Sequence, residues 1–198
     1  MLRKLRLTKG ASTMWLPFLF GVLAASHVTS VAAAGQPAAA TPATYRVISL
    51  GSGGPSEKPV INAKGQVAIS MDFGLGYSNA MFYDGKTVQN LGNLGGSHAF
   101  AVGLNDNGQV IGYATFHAFA WDKGTGMIDL GTLPGERRSM ALANNNRGTV
   151  VGVAGSAAVR WTLGRGLESL GTLGGRTASA TASDDAGLIA DCGEATAS

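Results

Sequence analysis

LGNLGGSHAFAVGLNDNGQVIGYATFHAFAWDKGTGMIDLGTLPG, residues 91–135, contains one complete period of an internal repeat and the start of the next. The motif Leu-Gly-x-Leu-x-Gly stands at both ends of this stretch. It returns as LGTLGG at 170–175, with a shortened LGSGG at 50–54. The first leucines of these motifs follow one another at intervals of 41, 39 and 40 residues. A period near 40 is typical of a propeller blade or of a helical HEAT-type repeat.

Composition separates these two architectures. The chain has 30 glycines, and no segment carries apolar residues at i, i+3, i+4 and i+7 for long enough to form paired helices. Short apolar runs between turn residues predict strands instead, four in each period. The sequence therefore predicts an all-β array of four-stranded units that is propeller-like and incomplete, at about 3.5 units. Its units are 50–90, 91–129, 130–169 and a partial 170–198.

The turn between the first two strands of each unit reads NAKG, NDNG, NNRG or DDAG. A glycine three residues after Asn or Asp supplies the positive φ that a tight hairpin requires. The NDNG turn is also compatible with part of a calcium loop. It lacks the alternating oxygen ligands and the distant glutamate of such loops, which favours the hairpin interpretation. Asp106 and Asp185 are therefore predicted to be turn residues.

The third strand of each unit is written NAMFY (79–83), HAFAW (117–121) or AAVRW (157–161). Residues two apart in a strand share a face, so each motif places two large side chains together and an alanine on the other face. Stacked units would bury these columns, since no unit can cover its own face alone. The predicted structural core comprises Met81, Tyr83, Phe119, Trp121, Val159 and Trp161, with Leu91, Leu130 and Leu170.

The order of these motifs resembles the HAF family of extracellular repeat proteins: LGxLxG, Asn-x-x-Gly with a β-branched strand, HAFxW, then GMxDLG. The resemblance runs from Tyr45 to about Ile189. It implies export by a bacterium and a propeller-like array, and it brings no catalytic residues. The chain departs from the pattern at MFY in the first unit, at AAVRW in the third, and after the second strand of the fourth.

With YRVISL (45–50) as an isolated strand, the expected count is one strand, three four-stranded units and two further strands. Three interpretations remain open: a fragment with a damaged C-terminus, an open array, or a protein that closes by association. An open array would expose edge strands, which invite self-association.

The N-terminal residues 1–34 have the order of a secretory signal peptide: four cations, an apolar run, then small residues ending in Val31-Ala-Ala-Ala34. The apolar run has twelve residues, fewer than the roughly 20 that span a bilayer, and an uncleaved anchor is the alternative. Residues 35–44 are predicted to be a flexible Pro/Ala leader and 45–198 the repeat domain. We expect a secreted or periplasmic protein with no membrane span after cleavage.

Charge and cysteine content argue against a nucleic-acid-binding protein and against a domain stabilised by disulfides. Removing the signal peptide leaves 11 cations against 12 acids, so the basic pI reflects the export signal. A net charge of −1 without clustered cations does not indicate nucleic-acid binding. Cys192 is the only cysteine, so an intramolecular disulfide is impossible.

No catalytic motif is present, and no metal or cofactor is expected. His98 and His117 each precede Ala-Phe and have no zinc-type spacing, which favours structural histidines over metal ligands. The candidate binding site is the long connection SMDFGLGYSNA (70–80). There Asp72, Phe73 and Tyr77 combine an acceptor with aromatic faces, as carbohydrate and peptide sites do. The alternative is a flexible loop whose aromatics fold back onto the sheet.

These features predict a non-catalytic, exported module that binds protein or glycan, or that has a surface-structural role. Two alternatives stay open. A hydrolase or lyase acting on an extracellular polymer would require several loop acids to converge at one channel mouth. A truncated, non-functional paralogue would explain the departures at 190–198.

Overall fold

A computed structural model describes residues 47–50, 54–55, 58–172 and 174–193. The predicted signal peptide and leader lie outside these residues. The described residues form strands and turns, with no helix among them, which confirms the predicted all-β class. Accordingly, no helix in the described part of the chain is long and apolar enough to cross a membrane.

The first sheet is formed by β1 (Gly54–Pro55), β2 (Val60–Ile61), β3 (Val67–Asp72), β4 (Ser78–Tyr83) and β5 (Val88–Gly92). Strands β3, β4 and β5 pair antiparallel in chain order. Both short strands β1 and β2 pair with β3, so together they occupy the first-strand position.

Two sheets with the same topology follow. The second contains β6 (Ala99–Leu104), β7 (Val110–Ala114), β8 (His117–Asp122) and β9 (Gly126–Gly131). The third contains β10 (Ser139–Asn144), β11 (Val150–Ala154), β12 (Ala157–Thr162) and β13 (Gly166–Gly171). The Leu-Gly pairs at 91–92, 130–131 and 170–171 each end a fourth strand, so the sheets are offset from the sequence periods that begin at Leu91 and Leu130.

The fourth sheet has only β14 (Ala178–Ser183) and β15 (Ile189–Gly193). Three four-stranded units and a final pair of strands are therefore confirmed, and the described sheets form an open array. The predicted strand at 45–50 is wrong where it is described: residues 47–50 are irregular, and Val47 is 95% exposed. No third strand precedes it in the described residues to supply hydrogen-bond partners. Tyr45 and Arg46 lie outside those residues.

Successive sheets pack face to face, and a separate core fills each junction. We number the junctions by their sheets. Junction 1–2 centres on Phe82, Phe119 and Trp121, junction 2–3 on Ile111, Val159 and Trp161, and junction 3–4 on Val151 with small side chains. Alternation along the third strand explains this arrangement, because Ala80, Ala118 and Ala158 face the following sheet while the large columns face the preceding one. Ala80, Ala118 and Ala158 are each fully buried.

Most of the predicted core residues lie in these junctions. Phe119, Val159, Trp121 and Trp161 are at most 3% exposed, and Leu91 is buried in junction 1–2. Leu130 and Leu170 are half-buried against junctions 2–3 and 3–4.

Met81 is only half-buried, and Tyr83 is buried with its hydroxyl donating to Gly85 O at 2.7 Å. These two side chains point away from the second sheet, so they take no part in junction 1–2.

A glycine in the second strand of the second and third sheets allows close backbone contact. A Cβ on Gly152 would lie 2.0 Å from Met140 O, and one on Gly112 would lie 1.8 Å from Phe100 O. Both glycines pair beside a register shift, where the first strand contains one extra residue. Glycine is therefore required by the space available at these two positions.

We expect Gly152→Ala to lower the free energy of unfolding by about 3 kcal/mol, because the added methyl forces β10 and β11 apart. The neighbouring Val153→Ala is the control and should cost about 1 kcal/mol, since Val153 is only half-buried. Urea unfolding of both variants measures the difference. Equal losses would contradict the steric argument.

Candidate functional site

The turns of the array lie along two opposite edges, set by the strand topology. We call the edge with the turns between first and second strands the ladder side. The opposite edge, the connection side, carries the turns between second and third strands (73–77, 115–116 and 155–156) and the described links between sheets (93–98, 132–138, 172 and 174–177).

A hydrogen-bonded hairpin tip projects on the connection side. Five residues, 73–77, separate β3 from β4, whereas two separate the corresponding strands of the next two sheets. Phe73 N–H donates to Tyr77 O at 2.9 Å, and Tyr77 N–H donates to Gly74 O at 3.1 Å. The tip has positive φ at Gly74, Leu75 and Gly76, which closes the turn tightly.

The side chains of this tip form an exposed apolar surface. Phe73 is 55% exposed, Tyr77 is 56% exposed, and Leu75 at the apex is 97% exposed. About half of the surface of each aromatic residue is therefore accessible to solvent. Asp72 is exposed, and its Oδ1 accepts the Gly74 N–H at 2.7 Å, so this carboxylate stabilises the turn. The sequence pattern identified the two aromatics but not Leu75. The position of Leu75 between two glycines is the signal that could have marked it as the apex of the turn.

A second cluster lies on the same side, one sheet further along. Phe116 is 54% exposed, and the guanidinium of Arg138 lies 5.2 Å from the centre of its ring. Beside it is a pocket with a volume of about 270 Å³, whose lining includes Leu94, His117 and Asp129. His117 Nδ1 lies 2.8 Å from Asp129 Oδ2, and both side chains are partly exposed. This cluster presents an aromatic face beside polar groups.

The two histidines have separate surroundings. His98 Nδ1 lies 3.2 Å from Ser78 Oγ, and its ring stacks on Phe100 with 6.0 Å between centroids. His117 instead pairs with Asp129. Among the described residues, no three His, Cys, Asp or Glu side chains come together in a group able to hold a metal ion.

The ladder side carries a chain of side-chain hydrogen bonds from one sheet to the next. Asn62 Nδ2 donates to Asn105 O at 2.9 Å, Asn105 Nδ2 to Asn145 O at 2.8 Å, and Asn145 Nδ2 to Asp184 O at 2.7 Å. Each of these asparagines also accepts two backbone N–H groups of its own turn. We call this chain the asparagine ladder.

The acids of the ladder side join neighbouring turns. Asp106 Oδ1 accepts the Ala63 N–H at 2.9 Å, and Asp185 Oδ1 accepts the Asn146 N–H at 2.7 Å. Asp106 and Asp185 are thus turn residues that also bind the turn before them. They line a polar groove of about 440 Å³ together with Asp184, whose carboxylate accepts the N–H groups of Gly187 and Leu188.

Two further carboxylates on this side stabilise the turns between third and fourth strands. Backbone N–H groups of Thr87 and Lys86 lower the pKa of Asp84 below its ordinary value. The Thr125 hydroxyl, followed by the backbone N–H groups of Thr125 and Gly124, lowers the pKa of Asp122. Hydrogen bonds to the ionised form favour it, so both groups stay charged in this conformation.

Fold and surface together define an open, all-β repeat protein with an apolar, aromatic connection side and a polar ladder side. No protein-family model matches the chain, and comparison with curated proteins and with solved structures found no match. The resemblance to the HAF family therefore stays a prediction.

Proposed function

We propose that this protein is an exported, non-catalytic binding module that recognises protein or glycan through its connection side. The observation that carries the proposal is the hairpin tip, where Phe73, Leu75 and Tyr77 are exposed together on a hydrogen-bonded turn. Contiguous apolar side chains exposed on a monomer mark interaction surfaces. Hydrogen bonds within the turn also lower the entropic cost of ordering it when a ligand binds.

The neighbouring cluster supports an extended surface. Phe116 adds an aromatic face, and the His117–Asp129 pair adds polar groups beside it. Aromatic faces combined with a few placed polar groups are typical of sites for sugars and peptides. Sheets pack about 10 Å apart, so one extended ligand could contact both the tip and this cluster.

The test is binding of the labelled full chain to printed glycan and peptide arrays. We expect selective capture by one class, and a loss of at least about tenfold in the triple variant Phe73→Ser, Leu75→Ser, Tyr77→Ser. Leu188→Ser is the control, because Leu188 is 72% exposed on the ladder side. All four substitutions affect exposed side chains, so the variants should stay folded. The proposal fails if neither array captures the wild-type chain, or if the triple variant binds as the wild type does.

A further inference from the structure

One position on the third strand holds a different side chain in each sheet. Phe82, Ala120 and Arg160 are equivalent by register, since they pair with Gln89, Ile128 and Glu168 on the fourth strand. All three point toward the following sheet, on the face shared with the buried alanines. The contents of the three junctions therefore differ at this position.

At junction 1–2 the position is filled by an aromatic ring. Phe82 packs against Trp121 with 5.0 Å between ring centroids, and it is 4% exposed. Its ring reaches over the glycine of the neighbouring turn, because a Cβ on Gly108 would lie 3.8 Å from Phe82 Cζ. The surface outside this ring is charged and includes Asp84, Lys86 and Lys123.

At junction 2–3 the same space is empty. Ala120 takes the place of Phe82 and faces Trp161, the equivalent of Trp121. A Cβ on Gly148, the equivalent of Gly108, would meet nothing within 4 Å. A pocket of about 210 Å³ opens here, and its lining includes Ala120, Trp161 and Val150. An apolar cavity of about 150 Å³ is large enough to bind benzene.

The rim of the pocket has a leucine where the surface outside Phe82 has a lysine. Leu163 and Thr162 stand at the positions of Lys123 and Asp122, and both line the pocket along with Ile128. Leu163 is 82% exposed. Gln109 supplies a polar group at the edge.

One wall of the pocket is fixed in place. Trp161 Nε1–H donates to Leu130 O at 2.8 Å, a bond that spans the junction and holds the indole plane. At junction 3–4 the equivalent position holds Arg160, which forms an ion pair with Glu168. Among the described junctions, only 2–3 combines a tryptophan wall with a vacant ring position.

We propose that this pocket binds one six-membered aromatic ring, seated against Trp161 as the Phe82 ring is seated against Trp121. The ligand is either a free phenolic molecule or the tyrosine or phenylalanine side chain of a peptide. This site is separate from the hairpin tip, so it does not depend on the function proposed above. Ala120 and Gly148 provide the space, Trp161 the stacking surface, and Gln109 a polar group for a ring hydroxyl.

The test is titration of the full chain with p-cresol and with the capped tripeptide Ac-Gly-Tyr-Gly-amide. The Trp161 indole N–H signal in nuclear magnetic resonance spectra reports occupancy. We expect saturable shifts at a dissociation constant of about 1 mM, as befits so small a ligand. Shifts with both probes indicate a side-chain ligand, and shifts with p-cresol alone indicate a free molecule. No saturable shift with either probe would overturn the proposal.

Three variants make the test specific. Ala120→Phe fills the pocket as Phe82 fills junction 1–2, and it should weaken binding at least about tenfold. Leu163→Lys restores the charged rim without affecting a buried side chain, and it should weaken binding even if Ala120→Phe fails to fold. Phe82→Ala should create a second site whose occupancy shifts the Trp121 signal. Unchanged binding in the folded filling or rim variants would show that the probe binds elsewhere and would overturn the proposal.

Discussion

Phe119→Ala is expected to lower the free energy of unfolding by about 3–5 kcal/mol, the range observed for removing a fully buried phenylalanine ring. Phe119 is 0% exposed and lies at the centre of junction 1–2, where it packs with Trp121 and the alanines of the first sheet. Removing the ring leaves a cavity between two sheets that each need the other to cover their apolar faces. Urea unfolding followed by far-ultraviolet circular dichroism measures the loss.

Phe116→Ala is the matched control, three residues earlier in the same FHAF segment. Phe116 is 54% exposed and contacts Arg138 from one side, so its loss should cost less than about 1 kcal/mol. Similar losses for the two variants would mean that the junctions do not stabilise the array.

Asn105→Asp is expected to cost about 3 kcal/mol, because it breaks the asparagine ladder at a buried rung. An aspartate keeps the two bonds that Asn105 accepts from Asn107 N–H and Gln109 N–H. It loses the donor to Asn145 O and places a carboxylate oxygen beside that carbonyl, with Asn105 only 6% exposed. The substitution therefore isolates the bond between sheets from the bonds within the turn.

The natural sequence supplies the control for this variant. Asp184 occupies the same turn position in the fourth sheet, where it accepts the Asn145 donor through its backbone carbonyl and is itself exposed. Asp184→Asn keeps every bond that its side chain accepts, so its effect should stay within about 0.5 kcal/mol. If Asn105→Asp destabilises no more than Asp184→Asn, the ladder does not hold the sheets together.

Much of the fold could be predicted from the sequence because the repeated motifs show two periods. One is the spacing of the units along the chain, and the other is the alternation of side chains within a strand. The spacing of the Leu-Gly motifs gives the unit, and alternation within HAFAW and AAVRW identifies Phe119, Trp121, Val159 and Trp161 as one face. Met81 belongs to the same column but lies on the face turned away from the second sheet. The pattern marks which residues share a face, and the burial of that face depends on what packs against it.

The pocket at junction 2–3 was not predicted, because a comparison of the units by sequence does not show which side chains face each other across a junction. Its signal is the series Phe82, Ala120, Arg160, two residues after the alanine column on the same face. Only the cross-strand register shows that Phe82 fills the space that Ala120 leaves open. The asparagine ladder could not be predicted for the same reason. The turn motif indicates a hairpin within one unit, whereas the bond from each asparagine Nδ2 to the next turn forms only when the sheets stack.

The candidate site was predicted in part. Glycines around Phe73 and Tyr77 predict a turn with aromatics, but their exposure depends on how far β3 and β4 extend beyond the neighbouring sheets. The His117–Asp129 pair was missed because the two residues are twelve positions apart. They meet across β8 and β9, where the register shift between Ala118 and Phe119 sets the pairing.

The central claim is that consecutive four-stranded sheets stack face to face through aromatic junctions. The most direct measurement is a nuclear Overhauser effect between the ring protons of Phe82 and Trp121 in the full chain. The structure predicts a strong cross-peak, because the two ring centroids are 5.0 Å apart across junction 1–2. A Trp121 ring with cross-peaks only to residues of its own sheet would contradict the stacked array.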